Sequence, residues 1–259
     1  MTSLVFITGA SSGIGQALAL RYHAAGFRLA LVARRTAEVQ AWAQAQSIST
    51  DSFRIYQADV SDIDAIVAAG QACIAVQGVP NVVIANAGIS VGMDTSERSD
   101  LDVLRQTLAT NNVGLAATFH PFVSAMAERG SGTLVGIGSV AGIRGLPGHG
   151  AYCASKAAVI SYCESLRGEL KRSGIEVVTI SPGYIDTPLT RQNRYAMPFL
   201  MSASDFAHQA FAVIQAGCSY RVIPWQMGLV AKLLRVLPNA VFDQALVGRA
   251  RKQRQPKLR

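Results

Sequence analysis

Long hydrophobic runs are absent from this sequence of 259 residues. None approaches the roughly 18 apolar residues of a membrane-spanning helix, so we expect no such helix. The first residues lack the basic start and the cleavage site of a secretory signal, and they lead almost at once into a strand. We therefore expect a cytoplasmic protein.

Cysteine is scarce, and its spacing matches neither a metal-binding nor a redox motif. We therefore predict no metal site. We interpret the four cysteines as reduced thiols in the core: Cys73, Cys153, Cys163 and Cys218.

Acidic residues are nearly absent from the end of the sequence. Residues 220–259 contain nine Lys and Arg but one Asp, whereas residues 1–219 contain fifteen basic and fifteen acidic residues. The net charge of +8 therefore belongs to the last forty residues, and the body of the protein is neutral.

Short apolar runs alternate with amphipathic helical patterns along residues 4–180. This rhythm predicts parallel strands joined by right-handed helical crossovers. No linker or internal repeat interrupts it, so we predict one α/β domain over residues 1–259. The predicted architecture is a doubly wound, Rossmann-like fold with a mostly parallel sheet and helices on both faces. Ligands are expected at the carboxyl ends of the strands.

A tyrosine and a lysine stand one helical turn apart, at Tyr152 and Lys156, so their side chains share a face. A cation beside a phenol lowers its pKa from about 10 and prepares it for acid–base chemistry. Ser139, thirteen residues earlier, lies where a loop can bring its hydroxyl to a substrate oxygen. For the Tyr/Lys pair alone, a surface pair on an ordinary helix is the alternative.

A glycine-rich turn follows the first strand and precedes a helix. Its glycines permit a tight turn and a close approach of backbone N–H groups to a pyrophosphate, so it predicts a dinucleotide site. The alternative is an ordinary glycine-rich turn. The residues concerned are Gly9, Ser11, Ser12, Gly13, Ile14 and Gly15.

The second strand ends at Ala33 and is followed by Arg34 and Arg35, without the acidic residue that binds the ribose of NAD. An arginine at this point accommodates the 2′-phosphate of NADP, so we predict NADP(H) as the cofactor and Arg34 as its phosphate ligand. Two solvated loop arginines are the alternative.

The spacing Gly9-x-x-x-Gly13-x-Gly15, with Ser139 and Tyr152-x-x-x-Lys156, resembles that of the short-chain dehydrogenase/reductase family. The resemblance covers roughly residues 3 to 190. It implies an NADP(H)-dependent oxidoreductase that interconverts a carbonyl and a secondary alcohol.

In the implied mechanism Tyr152 is the acid/base and Ser139 orients the substrate oxygen. Lys156 lowers the tyrosine pKa and binds the cofactor ribose, and Asn111 supports a proton relay through water. Gly138 stands where the family usually has another serine.

Other implied roles concern the cofactor and the substrate. Adenine contacts fall on Asp59 and Val60, the ribose passes Asn86, Ala87 and Gly88, and the nicotinamide segment contains Pro182, Gly183, Ile185 and Thr187. Residues 188–217 are expected to form a lid over a small-molecule carbonyl or alcohol. His149 and Tyr184 are expected in the pocket wall, with an exposed loop histidine as the alternative for His149.

Family members commonly assemble through the helices that correspond to Leu101–Glu128 and Ala151–Arg172. Their apolar content exceeds what one sheet face needs, which favours a homodimer or homotetramer. The residues counted are Phe119, Phe122, Val123, Met126, Val159, Ile160 and Leu166.

Residues 225–259 are interpreted as a basic amphipathic extension. A helical pattern places Leu229, Val230, Leu233, Leu234 and Leu237 on one face, and Asn239 is expected to cap a second helix through Phe242, Leu246 and Val247. Basic residues near an anionic membrane contribute roughly 1 kcal/mol each, so peripheral membrane contact is one interpretation. The alternative is a helix that covers the substrate cleft or a subunit seam. We expect no nucleic-acid partner, because the tail lacks interleaved aromatic residues.

A non-catalytic NADP(H)-binding sensor or scaffold is the rival function. A missing serine, tyrosine or lysine would have favoured it, but all three are present.

Overall fold

The computed structural model describes residues 2–193, 195–248 and 252–254. Strands and helices alternate along most of this length. The strands are β1 (Leu4–Thr8), β2 (Arg28–Ala33), β3 (Phe53–Gln57), β4 (Val82–Ala85), β5 (Gly132–Ile137), β6 (Ile175–Pro182), β7 (Ile185–Asp186), β8 (Met201–Ser202) and β9 (Tyr220–Ile223). The helices are α1 (Gly13–Ala24), α2 (Thr36–Ala45), α3 (Ile63–Gln77), α4 (Asp100–Leu108), α5 (Gly114–Arg129), α6 (Gly150–Leu170), α7 (Ala203–Gln215), α8 (Trp225–Val236) and α9 (Asn239–Leu246).

Seven of these strands form one parallel sheet, in the order β3-β2-β1-β4-β5-β6-β9. This confirms the predicted doubly wound α/β fold. The chain first moves outward from β1 to β3 and then crosses to β4, so the strand order reverses between β1 and β4. Such a switch point opens a crevice at the carboxyl ends of the two strands. The edge strand β9 escaped the sequence pattern, because it has four residues and two of them are exposed.

Side chains of the strands alternate between two apolar clusters, one on each face of the sheet. In β1, Val5 and Ile7 pack with α1, α2 and α7, whereas Leu4 and Phe6 pack with α3, α5 and α6. Both faces are therefore covered, as the near-continuous apolar runs predict.

Packing corrects two of the predictions. Residues 203–215 of the expected lid form α7, whose Phe206 and Ile214 are buried in the core beside α1. A lid role therefore remains a prediction for residues 188–202 alone. The apolar surplus inferred for assembly is also wrong, because six of the seven residues belong to the core on this face of the sheet or pack against it: Phe119, Phe122, Val123, Met126, Val159 and Leu166. The assembly itself stays a prediction.

The C-terminal helices form, with two differences. The five residues predicted to share one apolar face are divided: Leu229 and Leu233 are more than half exposed, Val230 and Leu234 are partly buried, and Leu237 is the C-cap that follows α8. Pro238, rather than Asn239, occupies the N-cap of α9, and Asn239 instead accepts a hydrogen bond from Arg144 (3.0 Å). Residues 249–251 and 255–259, which include four of the last six basic residues, lie outside the described residues.

Within the described part of the chain, no helix has both the length and the apolar character needed to cross a bilayer. All four cysteines are free; three are buried as expected, whereas Cys218 is partly exposed.

The contact between α3 and α5 generates a stability prediction. A Cβ at Gly70 would collide with the Pro121 ring and lie 3.2 Å from Phe122, whereas a Cβ at Gly168 of α6 would meet nothing within 4 Å. Gly70→Ala should lower the free energy of unfolding by about 1 kcal/mol or more, since overpacking outweighs the gain in helix propensity. Gly168→Ala, the matched control, should raise it by up to about 1 kcal/mol.

Urea-induced unfolding at a fixed protein concentration measures both changes. Equal shifts in the two variants would contradict the packing described for α3 and α5.

Candidate active site

Two clefts meet above the carboxyl ends of the sheet strands. The first, the glycine-rich cleft, has a volume of about 550 Å³ and is lined by all the predicted cofactor residues except Gly15. The second, the apolar cleft, has a volume of about 780 Å³. Ser139 and Tyr152 line both clefts. Their hydroxyl groups therefore stand at the junction.

The glycine-rich turn closes tightly onto the end of β4. Gly9 adopts φ +70°, and an added Cβ there would lie 2.9 Å from the Ala87 Cα. Gly15 lies behind the cleft wall, where a Cβ would collide with the Gly9 carbonyl. The N-terminus of α1 carries no acidic residue in its first turn and no side-chain cap from Ser12. Its free N–H groups and helix dipole suit an anion in this cleft.

Asn86 joins the carboxyl ends of β1 and β4. Its Nδ2 donates to the Thr8 carbonyl (2.9 Å), and the Thr8 Oγ1 accepts from the backbone N–H groups of Asn86 (3.1 Å) and Ala87 (3.2 Å). These bonds fix the two strand ends that bound the crevice.

Arg34 and Arg35 both line the glycine-rich cleft but have different partners. Arg34 forms an exposed ion pair with Asp59 (3.3 Å). Arg35 forms an ion pair with Glu38 (2.8 Å), and its Nη2 also donates to the Ser11 hydroxyl (3.4 Å). Burial alone would raise the pKa of Asp59, but hydrogen bonds from Ser61 and the Arg34 guanidinium hold it below its usual value. Arg35, which no motif singled out, thus reaches the glycine-rich turn itself.

The serine and lysine of the predicted triad are buried beside the partly buried tyrosine. Ser139 Oγ accepts from the Ala141 N–H (3.1 Å), which leaves its proton free for another acceptor. Lys156 Nζ donates to the Ile137 carbonyl (2.8 Å) and lies 5.8 Å from the centroid of the Tyr152 ring. The three residues therefore converge, as their spacing predicts.

Burial dominates the titration of this triad. It raises the pKa of Tyr152, and a hydrogen bond with Ser139 opposes that rise only in part. Burial also lowers the pKa of Lys156 to about 8. The expected lowering of the tyrosine pKa by the Lys156 charge is therefore not observed, because burial is the largest influence on the phenol.

Asn111 lies behind the wall, in a π-helical turn at Ala109–Val113 between α4 and α5. Its Oδ1 accepts from the Ile89 N–H (2.8 Å), and its Nδ2 donates to the Ile89 carbonyl (3.0 Å) and the Ser155 hydroxyl (2.9 Å). A Cβ at Gly88 would lie 3.2 Å from Asn111 Oδ1 and 3.6 Å from Lys156 Nζ. The carboxamide thus holds the loop after β4 beside the lysine; π turns often mark functional sites.

The glycine that replaces a serine before Ser139 has a packing explanation. A Cβ at Gly138 would lie 2.9 Å from Ser181 Oγ, which is buried and has no hydrogen-bond partner in the structure. The side chain of Ser181 therefore occupies the space that a residue at 138 would need.

The segment after β6 forms the wall between the two clefts. Gly183 N donates to the Ile223 carbonyl (2.8 Å), and Thr187 N donates to Thr190 Oγ1 (3.0 Å). An added Cβ at Gly13 would lie 3.1 Å from the Thr187 side chain. The start of the expected lid is therefore anchored to the glycine-rich turn.

The helices α8 and α9 cover the apolar cleft. This arrangement agrees with the alternative interpretation of the C-terminal extension, in which a helix covers the substrate cleft. The inward face of α8 contributes Met227, Val230, Ala231 and Leu234 to the lining. Arg144 attaches this cover to the loop after β5. It donates to the carbonyls of Leu234 and Leu237, and its guanidinium lies 3.8 Å from the Phe242 ring centroid.

A polar end of the apolar cleft contains His149, Tyr195, Asn193 and Lys252. His149 is buried and lies 3.3 Å from the Tyr195 hydroxyl, so the pocket-wall interpretation is supported for it, and Tyr184 also lines the cleft. Lys252 Nζ donates to Asn193 Oδ1 (2.7 Å). Sequence reasoning missed Asn193, Tyr195 and Lys252, because no local pattern relates residues so far apart.

Residues 252–254 lie along the loop that follows β4. Gly92 N donates to the Gln253 carbonyl (2.9 Å), and Arg254 binds both carboxylate oxygens of Asp100 (2.6 and 3.1 Å). We call residues 252–254 the C-terminal clasp. It closes one side of the apolar cleft.

No cluster of metal-ligating side chains occurs among the residues that the structure describes. The side chains at the junction carry hydroxyl, phenol and ammonium groups: Ser139, Tyr152 and Lys156.

Comparison with known proteins identifies relatives of the whole chain. Residues 3–197 match the family model described as short chain dehydrogenase. An uncharacterized oxidoreductase of Myxococcus xanthus (strain DK1622) is 38% identical over 242 residues, which cover 92% of this chain and 94% of that protein.

Solved structures share the fold. A short-chain dehydrogenase from Sphingobium yanoikuyae in complex with NADPH aligns with a TM-score of 0.77 at 25% identity, over 92% of this chain and 97% of that chain. A short-chain dehydrogenase/reductase from Burkholderia phymatum in complex with NAD aligns with a TM-score of 0.81 at 22% identity, over 90% and 92%. The family match spans both the glycine-rich turn and the Ser139/Tyr152/Lys156 group, and the chain therefore belongs to the short-chain dehydrogenase family.

Proposed function

We propose that this oxidoreductase interconverts a carbonyl and a secondary alcohol with NADP(H), and that Tyr152 is its acid/base. The observation that carries the proposal is the position of Ser139 and Tyr152 at the junction of the two clefts. A cofactor in the glycine-rich cleft and a substrate in the apolar cleft would meet at these two hydroxyl groups.

Tyr152 moves the proton of the reaction. In reduction its phenol donates the proton to the carbonyl oxygen, and in oxidation its phenolate accepts the proton of the alcohol. Ser139 donates its free hydroxyl proton to the same oxygen and orients it. The nicotinamide cofactor supplies or accepts the hydride.

Lys156 keeps the junction positive. Its pKa of about 8 leaves it mostly charged at neutral pH, so its ammonium favours the tyrosinate during turnover and is available to the cofactor ribose. Asn111, which packs beside it against Gly88, is the residue we assign to a water-mediated proton relay.

The two guanidinium groups at the end of β2 support the choice of NADP(H). The structural relatives include proteins in complex with NADPH and with NAD. The preference for NADP(H) over NAD(H) is therefore inferred from the residues of this chain. Arg34 and Arg35 stand at the rim of the glycine-rich cleft, directly after β2, where NAD-binding folds place an acidic ribose ligand. The acidic side chains beside them, Asp59 and Glu38, form ion pairs with these two guanidinium groups.

We further propose that the enzyme is a homodimer or homotetramer that assembles through α4, α5 and α6. Members of the family are generally oligomeric. The outward face of α6 carries the exposed Tyr162 and several small exposed residues, which permit close helix packing. The small residues are Ala154, Ala157, Ala158, Ser161 and Ser165.

The outward face of α8 supports the proposal of peripheral membrane contact. It carries an exposed apolar stripe beside the exposed Lys232 and Arg235, with no acidic residue on the helix. The stripe comprises Trp225, Leu229, Leu233 and Val236, each more than half exposed. An apolar face with basic flanks suits an anionic bilayer surface.

The rival function, a sensor or scaffold that binds NADP(H) without turnover, makes a different prediction. It requires cofactor binding with no carbonyl-dependent consumption of NADPH, which a panel of ketones and aldehydes measures.

Removal of one hydroxyl tests the acid/base assignment. Tyr152→Phe should lose turnover by a factor on the order of 10² to 10⁴, because the variant has no proton to transfer, while it still binds NADPH. Tyr162→Phe, on the exposed side of the same helix, should keep turnover. Steady-state rates and NADPH fluorescence measure the two properties; wild-type rates in the Tyr152 variant would refute the assignment.

Removal of either arginine tests the cofactor choice. Loss of a charge-assisted phosphate contact costs on the order of 1.5–3 kcal/mol, so Arg34→Ala and Arg35→Ala should each weaken NADPH about tenfold or more and leave NADH nearly unchanged. Arg167→Ala, outside both clefts, is the control. Titration calorimetry measures the affinities, and equal weakening of both cofactors would instead indicate a structural role.

Charge on the outward face of α8 tests membrane contact. Leu229→Glu combined with Leu233→Glu should abolish co-sedimentation with phosphatidylserine vesicles at low salt, because the stripe would then repel the anionic surface. Val76→Glu, which changes an equally exposed residue of α3, should retain it. Wild-type protein that fails to pellet with these vesicles would remove the membrane proposal.

A further inference from the structure

The polar end of the apolar cleft contains an ammonium group that has no acidic partner among the described residues. Lys252 Nζ donates one hydrogen bond, to the neutral carboxamide oxygen of Asn193 (2.7 Å), and its two other donors have no partner among the described residues. Partial burial lowers the pKa of Lys252 below its usual value. A lysine whose only role is to keep the surface soluble would be exposed to solvent rather than partly buried and hydrogen-bonded to a neutral side chain.

The nearby carboxylates are engaged by a different cation. Arg254 binds Asp100 through two contacts (2.6 and 3.1 Å) and reaches Glu97 at 3.7 Å. Among the described residues that line the apolar cleft, none is acidic. The charge of Lys252 is therefore not balanced within this part of the protein.

The other basic groups among the described lining residues, Arg144 and His149, already have partners within the protein. The Arg144 guanidinium is engaged by the carbonyls of α8, by Asn239 and by the Phe242 ring. The His149 ring nitrogens lie 3.1 Å from the Pro147 carbonyl and 3.3 Å from the Tyr195 hydroxyl, and burial lowers the pKa of this histidine below its usual value. Among the described residues of this lining, Lys252 is thus the cation that is available to a ligand.

The backbone that follows Lys252 is held in place. The C-terminal clasp pairs with Gly92 through the Gln253 carbonyl (2.9 Å), and the Arg254–Asp100 ion pair anchors its end. A charge positioned before the ligand arrives loses less entropy on binding than a mobile one.

We propose that Lys252 binds an anionic group, a carboxylate or a phosphate, on a carbonyl substrate whose apolar body packs against α8 and α9. This rests on the proposed function, because the substrate carbonyl is placed between Ser139 and Tyr152. The ammonium makes an ion pair with the substrate anion and retains its bond to Asn193. The substrate class is therefore an amphiphilic ketone or aldehyde with an acidic head group.

Three matched substrates test the subsite: a medium-chain oxo-acid, its methyl ester, and an oxoalkyl phosphate of the same chain length. With NADPH, wild-type enzyme should show a higher kcat/KM for the acid or the phosphate than for the ester, and the better of the two identifies the head group. Lys252→Met should reduce this preference about tenfold or more, because a charge-assisted contact is lost. Lys252→Arg should retain most of it.

Asn193→Ala is the matched control, since it removes the same hydrogen bond but keeps the charge. It should preserve the preference for the anion. If Lys252→Met and Asn193→Ala reduced kcat/KM equally for all three substrates, Lys252 would be a structural residue and the proposal would fail. A wild-type enzyme that preferred the ester would overturn it as well.

A binding measurement separates this proposal from the proposed function. Dodecanoate and dodecyl phosphate should bind the NADPH-loaded protein more tightly than dodecanol, and Lys252→Met should abolish the difference. If no carbonyl is reduced but this difference is present, the anion subsite stands and the proposed reaction fails. If carbonyls are reduced and the alcohol binds as well as the anions, the subsite fails and the reaction stands.

Discussion

The hydrogen bonds between Thr8 and Asn86 are the constraint on which both clefts depend. They join the ends of β1 and β4 at the point where the strand order reverses. A parallel sheet directs its strand-end loops toward one edge, so this junction sets the distance between the glycine-rich turn on one side and the Ser139 loop on the other. The two covered faces of the sheet then leave this edge as the place where polar groups converge.

Burial and charge act in opposite directions at that edge. A lysine and a tyrosine side by side in water would lower the phenol pKa, yet here burial raises the pKa of Tyr152 and lowers that of Lys156 to about 8. The neutral phenol is therefore the stable resting form, which is the form that donates a proton. Burial likewise lowers the pKa of Lys252, which lines a largely apolar cleft.

Local patterns predicted the fold and the glycine-rich cleft well. The alternation of apolar runs located six strands of the main sheet, and the motifs fell on their carboxyl ends because each motif directly follows a strand. Long-range packing was beyond such patterns: α7 is a core helix, and Asn193, Tyr195 and Lys252 meet only through tertiary contacts. The direction of the tyrosine pKa also depends on burial, which spacing along a helix does not reveal.

The C-terminal clasp makes the apolar cleft less dependent on the sheet than the glycine-rich cleft is. The Arg254–Asp100 ion pair joins residues 154 positions apart, and it can separate without breaking any hydrogen bond of the seven-stranded sheet. Peripheral segments of this kind open with free energies well below that of global unfolding. The apolar cleft is consequently a module whose shape mutations can alter while the nucleotide half keeps its stability, so new substrates are accessible to evolution at little risk to the fold.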